Sequence, residues 1–140
     1  MPSPAPFAPV KTQLLISDFD ESFSDADTDR WVFEVLSPTL RRKFEEIGIA
    51  NTMQFTDMCA SLLVELHKEG KTPEDIIAAQ KQVYVHPAMV RGVKNLKNHA
   101  SPKTECFLLS NSNEIYLKTV LDVSQTNPCL WYFVADNKHS

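Results

Sequence analysis

The chain has 140 residues, of which 43% are hydrophobic and 23% charged. That is enough for one globular domain with a real core. Its formal net charge of -4 and the lack of a basic block argue against nucleic acid or an anionic membrane surface as a general partner. Three cysteines, Cys59, Cys106 and Cys129, fall in no metal or redox spacing, which fits a reducing, cytoplasmic setting.

The N-terminus, MPSPAPFAPV, holds four prolines and lacks the charged and apolar regions of a signal peptide. Residues 1–12 therefore read as a disordered leader. Leu14 to Ile16 form a short apolar run that reaches Ser17 and stops at Asp18, with Asp20 and Ser22 following. The pattern predicts a buried strand with two carboxylates at its carboxyl end, where open α/β sheets bind ligands. In extended backbone Asp18 and Asp20 project the same way. Two carboxylates so close repel unless a proton or a hard cation shares them, which points to Mg²⁺ on Asp18 and Asp20 or to one acid with a raised pKa.

An acidic loop, Asp25 to Asp29, runs into Trp31 to Leu36, read as helical. A calcium loop is excluded because Arg30 stands where that motif needs glycine and Leu36 where it needs glutamate. Helix capping is the simpler role for Asp27 and is the reading of Thr28. Ser37 and Pro38 cap and open a second helix with Leu40, Phe44 and Ile47 on one face, and Gly48 is placed to end it. Phe55, Met58, Cys59, Leu62, Leu63 and Leu66 form the stripe of a third helix stopped by Gly70. Thr72-Pro73-Glu74-Asp75 signals a capping box and a fourth helix to about Val83. Pro87 opens a fifth, whose buried face is Met89, Val90, Val93 and Leu96. Ser101-Pro102 turns the chain into a strand from Glu105 to Leu109. Ser110 follows at its end, then a helix from Ile115 to Val123 and a strand from Leu130 to Val134. The four histidines show no ligand spacing and read as surface or helix-end residues.

Asp18 and Ser110 lie 92 residues apart, whereas a simple strand-helix-strand unit needs about 30. The surplus predicts a helical cap over residues 30–85, set on a core made of residues 13–29 and 86–140. Ser110, with the amides of Asn111 and Ser112, can donate hydrogen bonds to phosphate oxygens from a helix N-terminus. Paired acids and such a serine suit phosphoryl transfer, with one carboxylate as nucleophile and the other as acid and base.

Asp18-Phe19-Asp20-Glu21-Ser22 resembles the first motif, D-x-D-x-[T/S], of the haloacid dehalogenase-like (HAD) phosphatases. With Asp25, Asp29, Trp31, Val32 and the later Leu108-Leu109-Ser110-Asn111-Ser112-Asn113, the chain is similar to the PHOSPHO-type branch, which includes phosphoethanolamine/phosphocholine and pyridoxal phosphate phosphatases. The resemblance runs from about Leu14 to about Leu121. It implies an α/β HAD-like Rossmannoid core, incomplete, with the inserted helical cap. It also implies Mg²⁺-dependent hydrolysis of a small phosphorylated metabolite, and a head-group contact from Asp29. Asn111 departs from the common pattern, in which aspartate often follows the serine. The lysine and the final G-D-x-x-x-D acids of the family have no assigned counterpart: Lys118 is too early, and Asp136 at best echoes the last motif. The expectation is the N-terminal portion of a phosphatase, with a binding protein or a truncated form without independent activity as the alternatives.

Overall fold

Proline opens three of the six α-helices in the computed structural model, which describes residues 8–135. Its fixed φ suits the first helical turn, where its missing N–H costs nothing. The elements run β1 (Thr12–Asp18), α1 (Thr28–Leu36), α2 (Pro38–Ala50), α3 (Phe55–Lys68), α4 (Pro73–Gln80), α5 (Pro87–Asn98), β2 (Lys103–Ser110), α6 (Glu114–Val123) and β3 (Trp131–Val134). The predicted caps at Ser37 and Thr72 hold. Ser37 accepts from the Leu40 amide, and Thr72 and Asp75 make a reciprocal capping box. Gly70 follows α3 at φ 87, a left-handed conformation that costs glycine little.

Two helix ends differ from expectation. The second helix runs through Gly48 to Ala50 and is capped by Asn51 at φ 50, because asparagine also tolerates the left-handed region. The fourth stops at Gln80 rather than Val83, and tight turn bonds carry the chain on from there. Residues 1–7 and 136–140 lie outside the described residues, and with them the reading of Asp136 and of most of the leader.

The three strands form one parallel sheet in the order β1-β2-β3. One face of β2, formed by Thr104, Cys106, Leu108 and Ser110, is buried. Leu108 packs with Val93 of α5 and with Leu117, Val120 and Leu121 of α6, together with Phe19 and Phe23 from the loop after β1. Leu14 and Ile16 share the other face with Phe107, Leu109, Trp131 and Phe133, since the register aligns Ile16, Phe107 and Trp131 in one row. That face is open. Ile16 is 54% exposed and Phe133 62%. The expectation of a buried first strand is thus corrected: among the described residues β1 is an edge strand, and the helices α5 and α6 cover only the opposite face of the sheet.

Helices α1 to α4 stand between β1 and β2 in the chain. Val32 and Phe33 of α1, Leu40 and Phe44 of α2, and Met58, Leu62 and Leu66 of α3 bury a second apolar cluster. Tyr116 of α6 joins it, so the helical layer is packed against the helix that follows β2. Complete burial of one leucine such as Leu62 contributes about 1.5–3 kcal/mol. Among the described residues no helix is long and apolar enough to cross a membrane.

Candidate active site

The parallel register pairs Asp18 with Leu109, so Asp18 and Ser110 emerge at the same, carboxyl end of the sheet. Extended backbone ends at Asp18. Phe19 is fully buried and stacks on Phe23, with ring centroids 6.1 Å apart. The amides of Phe23 and Ser24 donate to the Phe19 carbonyl at 2.9 and 3.0 Å, and Glu21 takes a left-handed φ of 55. Asp20 therefore sits in a turn. Its place relative to Asp18 is set by this loop, not by strand alternation, which corrects the expectation that both acids project alike.

What holds Asp20 is the start of α1. Asp27 is the N-cap, accepting from the amides of Asp29 and Arg30 at 3.0 and 3.1 Å. This frees Thr28, expected to be a cap, for other work. Both the Thr28 amide and its hydroxyl donate to Oδ1 of Asp20, each at 2.8 Å. The same hydroxyl lies 2.6 Å from Oγ of Ser112, and the Ser112 amide donates to Oγ of Ser110 at 3.0 Å. Thr28 is itself fully buried, and Gln80 of α4 donates to its carbonyl at 2.8 Å. Sequence reasoning gives neither the Thr28 nor the Ser112 hydroxyl a site role. Alternate hydroxyls at Ser110 and Ser112, at and just past a strand end that faces the acid loop, are the only signal it holds.

The remaining expected residues are spread around this centre. Ser110 is buried; with its oxygen already accepting from the Ser112 amide, its own hydroxyl proton is free to point at a ligand. The Ser112 amide donates to Oγ of Ser110. Ser22 is exposed, and its hydroxyl makes a long 3.4 Å bond to Oδ2 of Asp18. Asp29 and Asn111 line a cavity of about 590 Å³, with Phe33, Phe55, Leu63 and Tyr116 among its walls. No lysine or arginine among the described residues lines it. Arg30, next to Asp29, is turned to Glu21 at 3.0 Å instead.

Burial raises the pKa of Asp20, partly offset by the two Thr28 bonds, and the charges of Asp27 and Asp18 add to the rise. Burial also pushes Asp29 up to about 7, helped by repulsion from Asp20 and Asp27. It pushes the Cys59 thiol up to about 12, so this cavity residue is not a nucleophile near neutral pH. Among the described residues no group of three or more His, Cys, Asp or Glu side chains could hold a metal ion. Two carboxylates are, however, the usual protein share of a Mg²⁺ shell completed by waters and phosphate oxygens. Asp18, exposed at the end of β1, can supply such a carboxylate.

The chain is 28% identical over 109 residues to inorganic pyrophosphatase 2 of Arabidopsis thaliana, a match covering 78% of this chain and 37% of that protein. A thiamine phosphate phosphatase-like protein of the same plant is 22% identical, over 78% of this chain and 42% of its own length. The chain therefore spans well under half the length of these curated relatives. In three dimensions it is similar to a dehalogenase solved with an intermediate complex, at a TM-score of 0.51 and 16% identity, covering 89% of this chain and 62% of that one. That likeness is one of fold, the HAD-like Rossmannoid core. The family described as Putative Phosphatase matches residues 13–137, nearly the whole described chain, and on that match the protein belongs to this family.

Proposed function

We propose that this chain carries the reacting groups of a phosphatase that hydrolyses a small phosphomonoester, with Asp18 as nucleophile. The observation that carries the reading is the joining of the two motif loops. Asp18 and Ser110 leave adjacent strands at one end of the sheet, and Asp20 is tied to Ser110 through Thr28 and Ser112. An Oδ of Asp18 forms a bond to phosphorus while the bond to the leaving oxygen breaks, and Asp20 gives that oxygen its proton. Water then attacks phosphorus, the acyl phosphate bond breaks, and Asp20 takes the water's proton. Its raised pKa suits a group that must hold a proton before the first step. The free hydroxyl of Ser110 donates to a phosphate oxygen. Mg²⁺ held by Asp18, with Asp20 left to carry the proton, would offset the phosphate charge.

The lining of the cavity favours an organic alcohol as the leaving group over a second phosphate. A pyrophosphate would bring more negative charge to a wall that already holds Asp29 and Glu114 and has no cationic side chain among the described residues. Aromatic and aliphatic walls instead suit an apolar or partly polar alcohol. We propose residues 30–85 as a cap that supplies Phe33, Phe55 and Leu63 to these walls, facing Tyr116 of α6. The free thiols Cys59, Cys106 and Cys129 fit a reducing cytoplasm, and the net charge of -4 fits a small metabolite as partner better than nucleic acid or a membrane.

The test is acid quench of the chain during turnover of para-nitrophenyl phosphate with Mg²⁺, followed by peptide mapping. The reading requires a phosphoryl group on Asp18. Its appearance on another residue, or hydrolysis that persists in Asp18→Asn, overturns it.

A further inference from the structure

The residue that links the acid loop to the phosphate-binding loop is neither of the expected acids. We propose that Thr28 is a positioning residue for the reaction, fixing the Asp20 carboxylate through one oxygen and coupling it to Ser110 through Ser112. The proposal rests on the phosphatase reading for its catalytic consequence, but its geometry stands on its own.

Thr28 is at the first turn of α1, where a helix has amides without intrahelical partners. Asp27 satisfies those of Asp29 and Arg30, and the Thr28 amide goes to Asp20. Its hydroxyl makes a second bond to the same oxygen, Oδ1. Two donors on one oxygen fix both the position and the rotation of a carboxylate. The other oxygen, Oδ2, receives neither bond. That is the atom available for exchange with substrate or water.

The direction of the hydroxyl chain follows. A carboxylate only accepts, so the Thr28 hydroxyl spends its single proton on Asp20. At 2.6 Å from Ser112 it must then accept, and the Ser112 hydroxyl must donate. Ser112 is 1% exposed and Thr28 0%, so water does not compete for either group. The Ser112 amide meanwhile occupies the acceptor side of Ser110. A change at Asp20 is thus passed through the Thr28 hydroxyl to the Ser112 side chain, and from the main-chain amide of Ser112 to the phosphate-binding serine.

Thr28 is also held from behind. Gln80 donates to its carbonyl, and Trp31, one turn on, donates from Nε1 to the carbonyl of Ala79 at 2.8 Å. Both anchors lie at the end of α4, which stops at Gln80. The helical layer therefore grips the acid loop directly. Thr28→Val keeps shape and amide but removes the hydroxyl. Thr28→Ser keeps the hydroxyl.

The experiment has two readings on the intact chain. In amide NMR spectra, Asp20→Asn should shift the resonances of Thr28, Ser112 and Ser110. In a Thr28→Val background the shifts at Ser112 and Ser110 should vanish, and in Thr28→Ser they should persist. On para-nitrophenyl phosphate, Thr28→Val should lower kcat about tenfold to a hundredfold with KM within about twofold, and Thr28→Ser should restore kcat to within about threefold of wild type. Should Thr28→Val fail to fold, Ser112→Ala breaks the chain from its other end, and the Asp20→Asn shift should then no longer reach Ser110. Coupling between Asp20 and Ser110 that survives Thr28→Val or Ser112→Ala overturns the proposal, as does unchanged turnover in a folded Thr28→Val. A wild-type chain with no Asp18-dependent hydrolysis overturns the phosphatase reading alone, and the NMR pair still decides the role of Thr28.

Discussion

Replacing Asp29 by asparagine should change how folding stability depends on pH. Folding moves this carboxyl from 3.8 to about 7, chiefly by burial against Phe33, Cys59 and Tyr116 around the cavity. A shift of that size corresponds to ~4 kcal/mol between the two protonation states. The favourable field at the start of α1 opposes ionisation cost by about 0.3–1 kcal/mol and cavity water screens more, so about 2–4 kcal/mol should be seen. The sign follows from proton counting. Between the unfolded and folded pKa values the native state holds more protons than the unfolded chain, so stability falls as pH rises through this window. It then levels off above about 7. Asparagine carries no proton to lose, so Asp29→Asn should match wild type near the low end of the window and exceed it at the high end. Urea unfolding followed by tryptophan fluorescence, from about pH 4 to about pH 8, gives the difference between the two proteins directly. A difference that is flat across this range, or that favours wild type increasingly as pH rises, would refute the reasoning.

Asp18→Asn should leave the melting temperature nearly unchanged, since Asp18 is exposed, while turnover of para-nitrophenyl phosphate falls below about 1% of wild type. Because Asn111 on the cavity wall is neutral, Asn111→Asp should raise the ratio of kcat/KM for phosphocholine over an uncharged ester; an unmoved ratio would show that the position does not meet the leaving group. Leu62 is fully buried and Val64 on the same helix is 56% exposed, so in urea titrations Leu62→Ala should cost about 2–5 kcal/mol and Val64→Ala under about 0.5 kcal/mol.

The helices were legible in the sequence because their signals are local. Ser37-Pro38 and Thr72-Pro73 place a cap and a first-turn proline side by side, and those bonds form between residues three apart. The two strand ends that carry Asp18 and Ser110 were legible for the same reason, as apolar runs that stop at polar groups. Thr28 reads as a cap, which a threonine before a helical run usually is, but its hydroxyl bonds with residues 8 and 84 positions away. No spacing rule reaches that far. The exposure of β1 was also beyond the sequence, since an apolar run reads alike whether or not helices cover it. Gly48 misled because a glycine allows a helix to end without obliging it to, and Asn51 served instead.

The open face of the sheet gives the folded protein a second boundary on its working range, set by concentration and not by temperature. Among the described residues, Thr12–Asp18 is an edge strand of seven residues, TQLLISD, with neither proline nor lysine inside it. Its outer backbone groups and the exposed Leu14, Leu15 and Ile16 satisfy what strand addition between molecules requires. Only Asp18, at the far end, interrupts such pairing with a charge. The proposed nucleophile is thus also the gatekeeper of the strand that delivers it, and neutralising that one side chain removes the charge that discourages two copies from zipping edge to edge.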